Sequence, residues 1–186
     1  MKTKHIIYAS LFLLVLSVQH CQCKMDEILP TPIPAPEVLP PVTTIGANTF
    51  GCYVDGKLWL PFGSLMTPAI AGNIGGGYIN ISGARRHIDE PSSTISIIIN
   101  NGVHDTGLYK LSFISDSVGR VYYYYEIKPN YDSNLYYVDT FHIGSLHILR
   151  LDSINHIMSG TFYFDAYNKY LNKTVKITDG RFDYRY

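Results

Sequence analysis

The chain has 186 residues, no formal net charge, and 46% hydrophobic against 16% charged residues. That length fits one domain beside a targeting segment, and the composition excludes disorder along the whole chain. The longest basic run is Arg85-Arg86, so the basic face of a nucleic-acid binder is missing and nucleic acid is excluded as a partner.

The first expected element is a signal peptide over residues 1–20. Lys2 and Lys4 give a positive start, and Ile6 to Val18 is an apolar run. The run falls short of the roughly 20 residues of a membrane-spanning helix and fits the apolar centre of a secretory signal. Cys21 and Cys23 stand where such a signal is cut. A lipobox wants an apolar residue three before the cysteine, which Val18 supplies for Cys21. It also wants a small residue directly before, where His20 departs from the pattern. Cys23 fits less well, with Cys21 and Gln22 ahead of it. Lipidation at Cys21 is the expectation, and ordinary signal cleavage the alternative. Acyl chains contribute about 0.8 kcal/mol per buried CH₂, so a multiply acylated cysteine stays in the membrane. The membrane is then a partner through the N-terminal lipid, and the expected location is the outer membrane or cell surface.

Residues 21–47 read as the anchor cysteine and a stalk. Pro30, Pro32, Pro34, Pro36, Pro40 and Pro41 block helix and sheet ladders and favour an extended spacer.

Residues 48–186 read as a single all-β domain. Phe50, Cys52 and Val54 alternate, and Asp55-Gly56 suits a type I′ hairpin because both positions tolerate positive φ. Val54 then pairs with Lys57, and Cys52 with Trp59, making Cys52 a buried core thiol. Residues 62–77 lack a period, and their glycines read as a mobile connection without the Lys-Ser/Thr ending of a phosphate loop. Strand patterns follow at Tyr78–Ser82, Ile95–Ile99, Tyr109–Phe113, Tyr122–Ile127, Tyr136–Ile143, Leu146–Leu151 and Met158–Phe164. The final pattern has Val175 and Ile177 on odd positions but Phe182, Tyr184 and Tyr186 on even ones. That slip at Asp179-Gly180 marks a bulge or a tight turn. The only helix allowed is one short turn near Pro68–Ala71 or Tyr167–Leu171. The fold class is therefore an antiparallel meander of roughly nine or ten strands forming a sandwich or flattened barrel.

Chemistry-bearing patterns are sparse. His87, His104, His142, His147 and His156 show no metal spacing, and no Gly-x-Ser-x-Gly elbow exists. Asp89, Glu90, Asp132, Asp139, Asp152, Asp165 and Asp179 are scattered, with nothing that points to a facing pair of the kind glycosidases use. No catalytic residue, metal or cofactor is expected. The exception to a plain core is Tyr122, Tyr123, Tyr124 and Tyr125. Alternation sends two rings to each face, and a pair left outside the core is a binding surface for a sugar or a protein.

Three segments together resemble a known group. They are Asn48-Thr49-Phe50-Gly51-Cys52-Tyr53-Val54-Asp55-Gly56-Lys57-Leu58-Trp59, Ser159-Gly160-Thr161-Phe162-Tyr163-Phe164 and Gly180-Arg181-Phe182-Asp183. On these the chain resembles lipoproteins of the Bacteroidota that carry a domain of unknown function. The resemblance brackets the domain and implies a lipid-anchored envelope protein. It transfers no catalytic residues, and in such lipoproteins an acidic stretch after the anchor, here Asp26-Glu27, directs export to the surface. A lipocalin reading has Gly-x-Trp on the first strand, whereas Gly56-Lys57-Leu58-Trp59 is one residue longer.

Two function classes follow. The first is a non-catalytic, lipid-anchored envelope protein whose β-domain binds a glycan, another ligand or an envelope protein. The second is a glycan-processing enzyme of the envelope, which needs paired carboxylates or a His–carboxylate pair in a cleft.

Overall fold

Period-two alternation of β-branched and aromatic residues produces strands throughout. A computed structural model of the chain describes residues 37–186, apart from 64–67, 77, 87–90, 101–102, 113–118 and 127–133. The expected signal segment, Cys21, Cys23 and the expected stalk up to residue 36 lie outside the described residues, as do His87, Asp89, Glu90, Phe113, Ile127 and Asp132.

Among the described residues there are eleven strands and no helix. They are β1 (Thr49–Val54), β2 (Lys57–Trp59), β3 (Ile70–Gly75), β4 (Tyr78–Arg85), β5 (Ser93–Ile99) and β6 (Gly107–Leu111). After these come β7 (Gly119–Tyr125), β8 (Leu135–Tyr137), β9 (Gly144–Asp152), β10 (Ile157–Asn168) and β11 (Lys173–Arg185). Nine of them form one antiparallel path, β2-β1-β11-β10-β8-β7-β5-β4-β3, curled into a half-barrel. The long β10 shares one edge between two partners: β9 pairs its first part and β8 meets it at Tyr167–Tyr137. β6 pairs the far side of β9. Past β2, a parallel bridge joins Phe62 to Arg85, with Phe62 N donating to Ala84 O and Arg86 N to Phe62 O, both at 2.9 Å.

The β1–β2 hairpin has the expected register, Val54 opposite Lys57 and Cys52 opposite Trp59. Asp55 and Gly56 supply its positive φ values of 48° and 76°. Cys52 is fully buried and unbonded, and burial pushes its thiol pKa up, so it is a core group and a poor nucleophile. On the concave face Ile81, Ile97 and Val121 align across three strands, next to Gly83, Ile95 and Tyr123. Burying each such aliphatic side chain contributes about 1.5–3 kcal/mol.

The phase slip in the last strand is a bulge. Gly180 faces Phe162 while Ile177 faces Phe164, leaving one extra residue in β11, and the β1 register slips at the same place. The residue with positive φ is Asp179 (52°), and Asp is among the few non-glycine residues that accept it. Gly180 has a different task. A Cβ there would lie 2.4 Å from the Phe162 ring, so the missing side chain is space that the ring occupies.

Three expectations are corrected. Glycines 72 and 75 lie in the edge strand β3, not in a mobile connection, and Tyr184 of β11 packs where a Gly72 side chain would stand. Neither expected helical turn forms. Ile70 and Ala71 are in β3, and after Asn168 the chain turns because Asn168 Oδ1 accepts from Tyr170 N and Leu171 N, both at 2.9 Å. The strand expected over Tyr136–Ile143 stops at Tyr137, because Asp139 accepts from Phe141 N and His142 N and bends the chain.

The compact unit runs from Val38 to Tyr186, so residues 38–47, expected in the stalk, belong with the strands. Asp183, 1% exposed, holds them. Its carboxylate accepts from Thr43 Oγ1 (2.7 Å), Ile45 N (2.9 Å), Gly46 N (2.8 Å) and Ala47 N (3.2 Å). Arg150 donates to Thr44 O, Arg181 to Pro40 O and Arg185 to Ile45 O.

Two predictions follow from this packing. Gly180→Ala pushes a methyl into Phe162 and lowers stability by about 1–3 kcal/mol, whereas Asp179→Gly stays within about 1 kcal/mol because it relieves the positive φ. Urea denaturation of both reads the difference. For Asp183, burial acts to raise the carboxyl pKa, and the bonds from Thr43, Ala47, Gly46 and Ile45 outweigh it, so the net shift is downward. A depressed folded pKa means stability that is present above the unfolded value near 3.9 and lost as pH falls through the folded value. Asp183→Asn replaces an acceptor with a donor facing N–H groups. It costs about 1.5–3 kcal/mol at neutral pH, and the acid limb of stability against pH becomes shallower than in the wild type.

Candidate functional site

Where β1, β4 and β7 end and β5 and β11 begin, the half-barrel opens on a cavity of about 590 Å³. The hairpin brings Trp59 to its wall, and Trp59 Nε1 donates to Ser93 Oγ at 2.9 Å, which fixes the indole. β7 contributes Tyr123 and Tyr125, and β8 contributes Tyr136. Tyr123 and Tyr125, two apart on one strand, share a face and stack with ring centroids 6.2 Å apart and planes 15° from parallel. Tyr136 lies opposite Tyr123 in the β7–β8 register, its ring centroid 5.8 Å away.

These rings are deeply set, with Tyr123 6% and Tyr136 2% exposed. Among the described residues no protein group bonds the hydroxyls of Tyr123, Tyr125 or Tyr136. The Tyr123 pKa is raised by burial first and then by Tyr125 and Tyr136. That of Tyr136 is raised by burial first and then by Asp55 and Tyr125. Both therefore stay protonated and keep an O–H to donate. Lys57, Arg85 and Lys173 bring positive charge to the lining, against Asp55. Asp55 Oδ1 is already engaged by Lys176 N at 2.9 Å.

The four-tyrosine run thus divides as alternation requires. Tyr123 and Tyr125 line the cavity. Tyr122 and Tyr124 point to the other face, where Tyr122 packs on Tyr137 at 6.1 Å. Cys21 lies outside the described residues. Trp59, Tyr136 and the three cations escaped the sequence reading as site residues. The hairpin signal already put Trp59 inward, but the pairing of β7 with β8 that brings Tyr136 over has no sequence marker.

A second constellation lies elsewhere. Both Asp139 oxygens are 2.9 Å from His142 Nδ1, and His142 Nε2 is 3.2 Å from Thr174 Oγ1. The imidazole also stacks on Tyr167, 4.9 Å between centroids. For Asp139 burial raises the pKa, and hydrogen bonds from His142 and Phe141 overcome it, so the carboxyl is held below its ordinary range. The order carboxylate–imidazole–hydroxyl is that of an oriented general base. The same bonds also pin the Asp139 turn to the β10–β11 hairpin, and none of the three residues lines the tyrosine cavity. Among the described residues no group of three His, Cys, Asp or Glu is placed to hold a metal.

No protein-family model matches the chain, and neither a curated protein nor a solved structure matches it at a significant level.

Proposed function

We propose that this chain is a lipid-anchored cell-envelope protein of the Bacteroidota kind, whose β-domain binds a ligand in the tyrosine-lined mouth and does no chemistry on it. The observation that carries the reading is the set of two buried tyrosines, one half-buried tyrosine and one tryptophan around an open cavity, with tyrosine hydroxyls that no group among the described residues takes. Cavities of roughly 300–1,000 Å³ with apolar walls and a few placed polar groups suit small ligands. Aromatic faces offer flat area that loses little conformational freedom on binding. The export signal, Cys21 and the proline stalk put this domain outside the cell on a membrane tether, with glycans and envelope proteins among the molecules within reach.

The second reading, a glycan-processing enzyme of the envelope, draws on the Asp139–His142–Thr174 chain. Hydrolysis of an envelope glycan that is lost in His142→Ala and retained in Tyr125→Ala establishes it in place of the first.

Two outcomes are expected. Fatty-acid labelling marks the wild type and not Cys21→Ala, and equal labelling of both removes Cys21 as the anchor. Trp59, the single tryptophan, reports directly from the cavity wall. Followed by its emission over a panel of glycans and small amphipaths, the wild type binds at least one member. Tyr125→Ala binds that member at least tenfold more weakly, with a thermal midpoint that stays well above the assay temperature. A panel without a binder, or a Tyr125→Ala variant that binds as the wild type does, overturns the binding reading.

A further inference from the structure

The charged side chains of the mouth are three cations, Lys57, Arg85 and Lys173, against one carboxylate, Asp55, and that balance selects the ligand. Ser93 Oγ accepts from Trp59 Nε1, and Asp55 Oδ1 accepts from Lys176 N. Each of these two groups therefore already accepts one hydrogen bond inside the protein. Among the described residues the hydroxyls of Tyr123, Tyr125 and Tyr136 have no partner, nor do the ammonium groups of Lys57 and Lys173 at the rim. An ammonium has donors only, and a phenol kept protonated has a proton to give. A neutral sugar can exchange hydrogen bonds with these phenols but gains nothing from the excess of positive charge in the lining. Between the donors the wall is apolar and flat, formed by Trp59, the tyrosine rings, Val54 and Val175.

We infer that the mouth takes a small anionic amphipath: a flat or hydrocarbon body against the Trp59 and tyrosine wall, with a carboxylate, sulfonate or phosphate meeting the tyrosine hydroxyls and the rim lysines. This rests on the binding reading above and narrows it. The anion gains twice. It receives charge-assisted hydrogen bonds, roughly twice as strong as neutral ones, and it is drawn by a lining with three cations against one carboxylate. The body gains by leaving water, at about 25 cal/mol per Å² of apolar surface.

Two dyes of the same aromatic build separate charge from shape: 1-anilinonaphthalene-8-sulfonate and the uncharged N-phenyl-1-naphthylamine. Both take energy from tryptophan, so transfer from Trp59 reports binding near the cavity. The mature chain with Cys21→Ser, which has no acyl chains to compete, is titrated with each. The sulfonate is expected to bind at least tenfold more tightly than the neutral dye, and to lose that advantage as salt rises from about 0.05 to about 0.5 M. Lys57→Glu with Lys173→Glu weakens the sulfonate at least tenfold and leaves the neutral dye within about twofold, which also shows that the exposed substitutions leave the fold intact. Equal binding of the two dyes, or a lysine-to-glutamate variant that binds the sulfonate unchanged, overturns the anionic inference while the binding reading stands. Absence of transfer to either dye, with a neutral glycan binding instead, also overturns it. Absence of any ligand in the panel overturns the binding reading itself.

Discussion

The structure depends on one extra residue in its longest strand. β11 pairs with β1 on one side and β10 on the other, and both registers slip at Asp179. Without the slip a thirteen-residue strand with strict alternation would present Val175 and Ile177 to the core and turn Phe182 to solvent. The bulge resets the phase, so that Val175, Ile177 and Phe182 are all buried. It also strengthens the local twist, which a sheet needs in order to curl. The Phe162 ring then packs against Gly180, with Phe50 5.3 Å and Phe182 6.4 Å from it, and this aromatic cluster ties β1, β10 and β11 together.

The same strand end explains why the closing Gly180-Arg181-Phe182-Asp183 pattern has four such different residues in a row. Gly180 makes room for Phe162, Arg181 reaches Pro40 O, Phe182 fills the core and Asp183 collects the amides of residues 45–47. The Asn48 end of the first pattern answers it: Asn48, at φ 55°, accepts from Arg185 N. These are consequences of docking an irregular segment whose N–H groups have no ladder partner. A buried unpaired N–H costs about 1–3 kcal/mol, and one carboxylate meets three of them together with the Thr43 hydroxyl. The compact unit thereby begins at Val38, ahead of the first strand.

Features of short range were legible in the sequence, and features set by long-range pairing were not. Asp55-Gly56 encodes its own turn, and the turn fixes the Cys52–Trp59 register. The phase slip at Asp179-Gly180 is visible because β11 is long enough to show both phases. Alternation in Tyr122–Tyr125 correctly separates inward from outward rings. β3 was invisible because Gly72 and Gly75 have no side chains to alternate, and its reason for existing is Tyr184, far away in sequence. Asp139 and His142 sit on opposite faces of the strand expected there. Only the turn after Tyr137 makes them neighbours, and Thr174 joins them from another hairpin. The cavity belongs to the same class, since it is assembled from β1, β2, β4, β5, β7, β8 and β11.

The two kinds of aromatic core in this domain argue about purpose. Around Gly180 the rings are phenylalanines, Phe50, Phe162, Phe164 and Phe182, which fill space and ask for no partner. At the mouth the rings are tyrosines of nearly the same shape. A phenol near the core carries the cost of removing its hydroxyl from water, a cost that an internal hydrogen bond normally offsets. Tyr123 and Tyr136 have no such bond among the described residues, and their raised pKa values register the lost solvation. Packing alone gives no reason for the oxygen, since phenylalanine at 123 and 136 would fill nearly the same space without that cost. Water in the cavity, or the ligand proposed above, offsets that cost by hydrogen-bonding the hydroxyls.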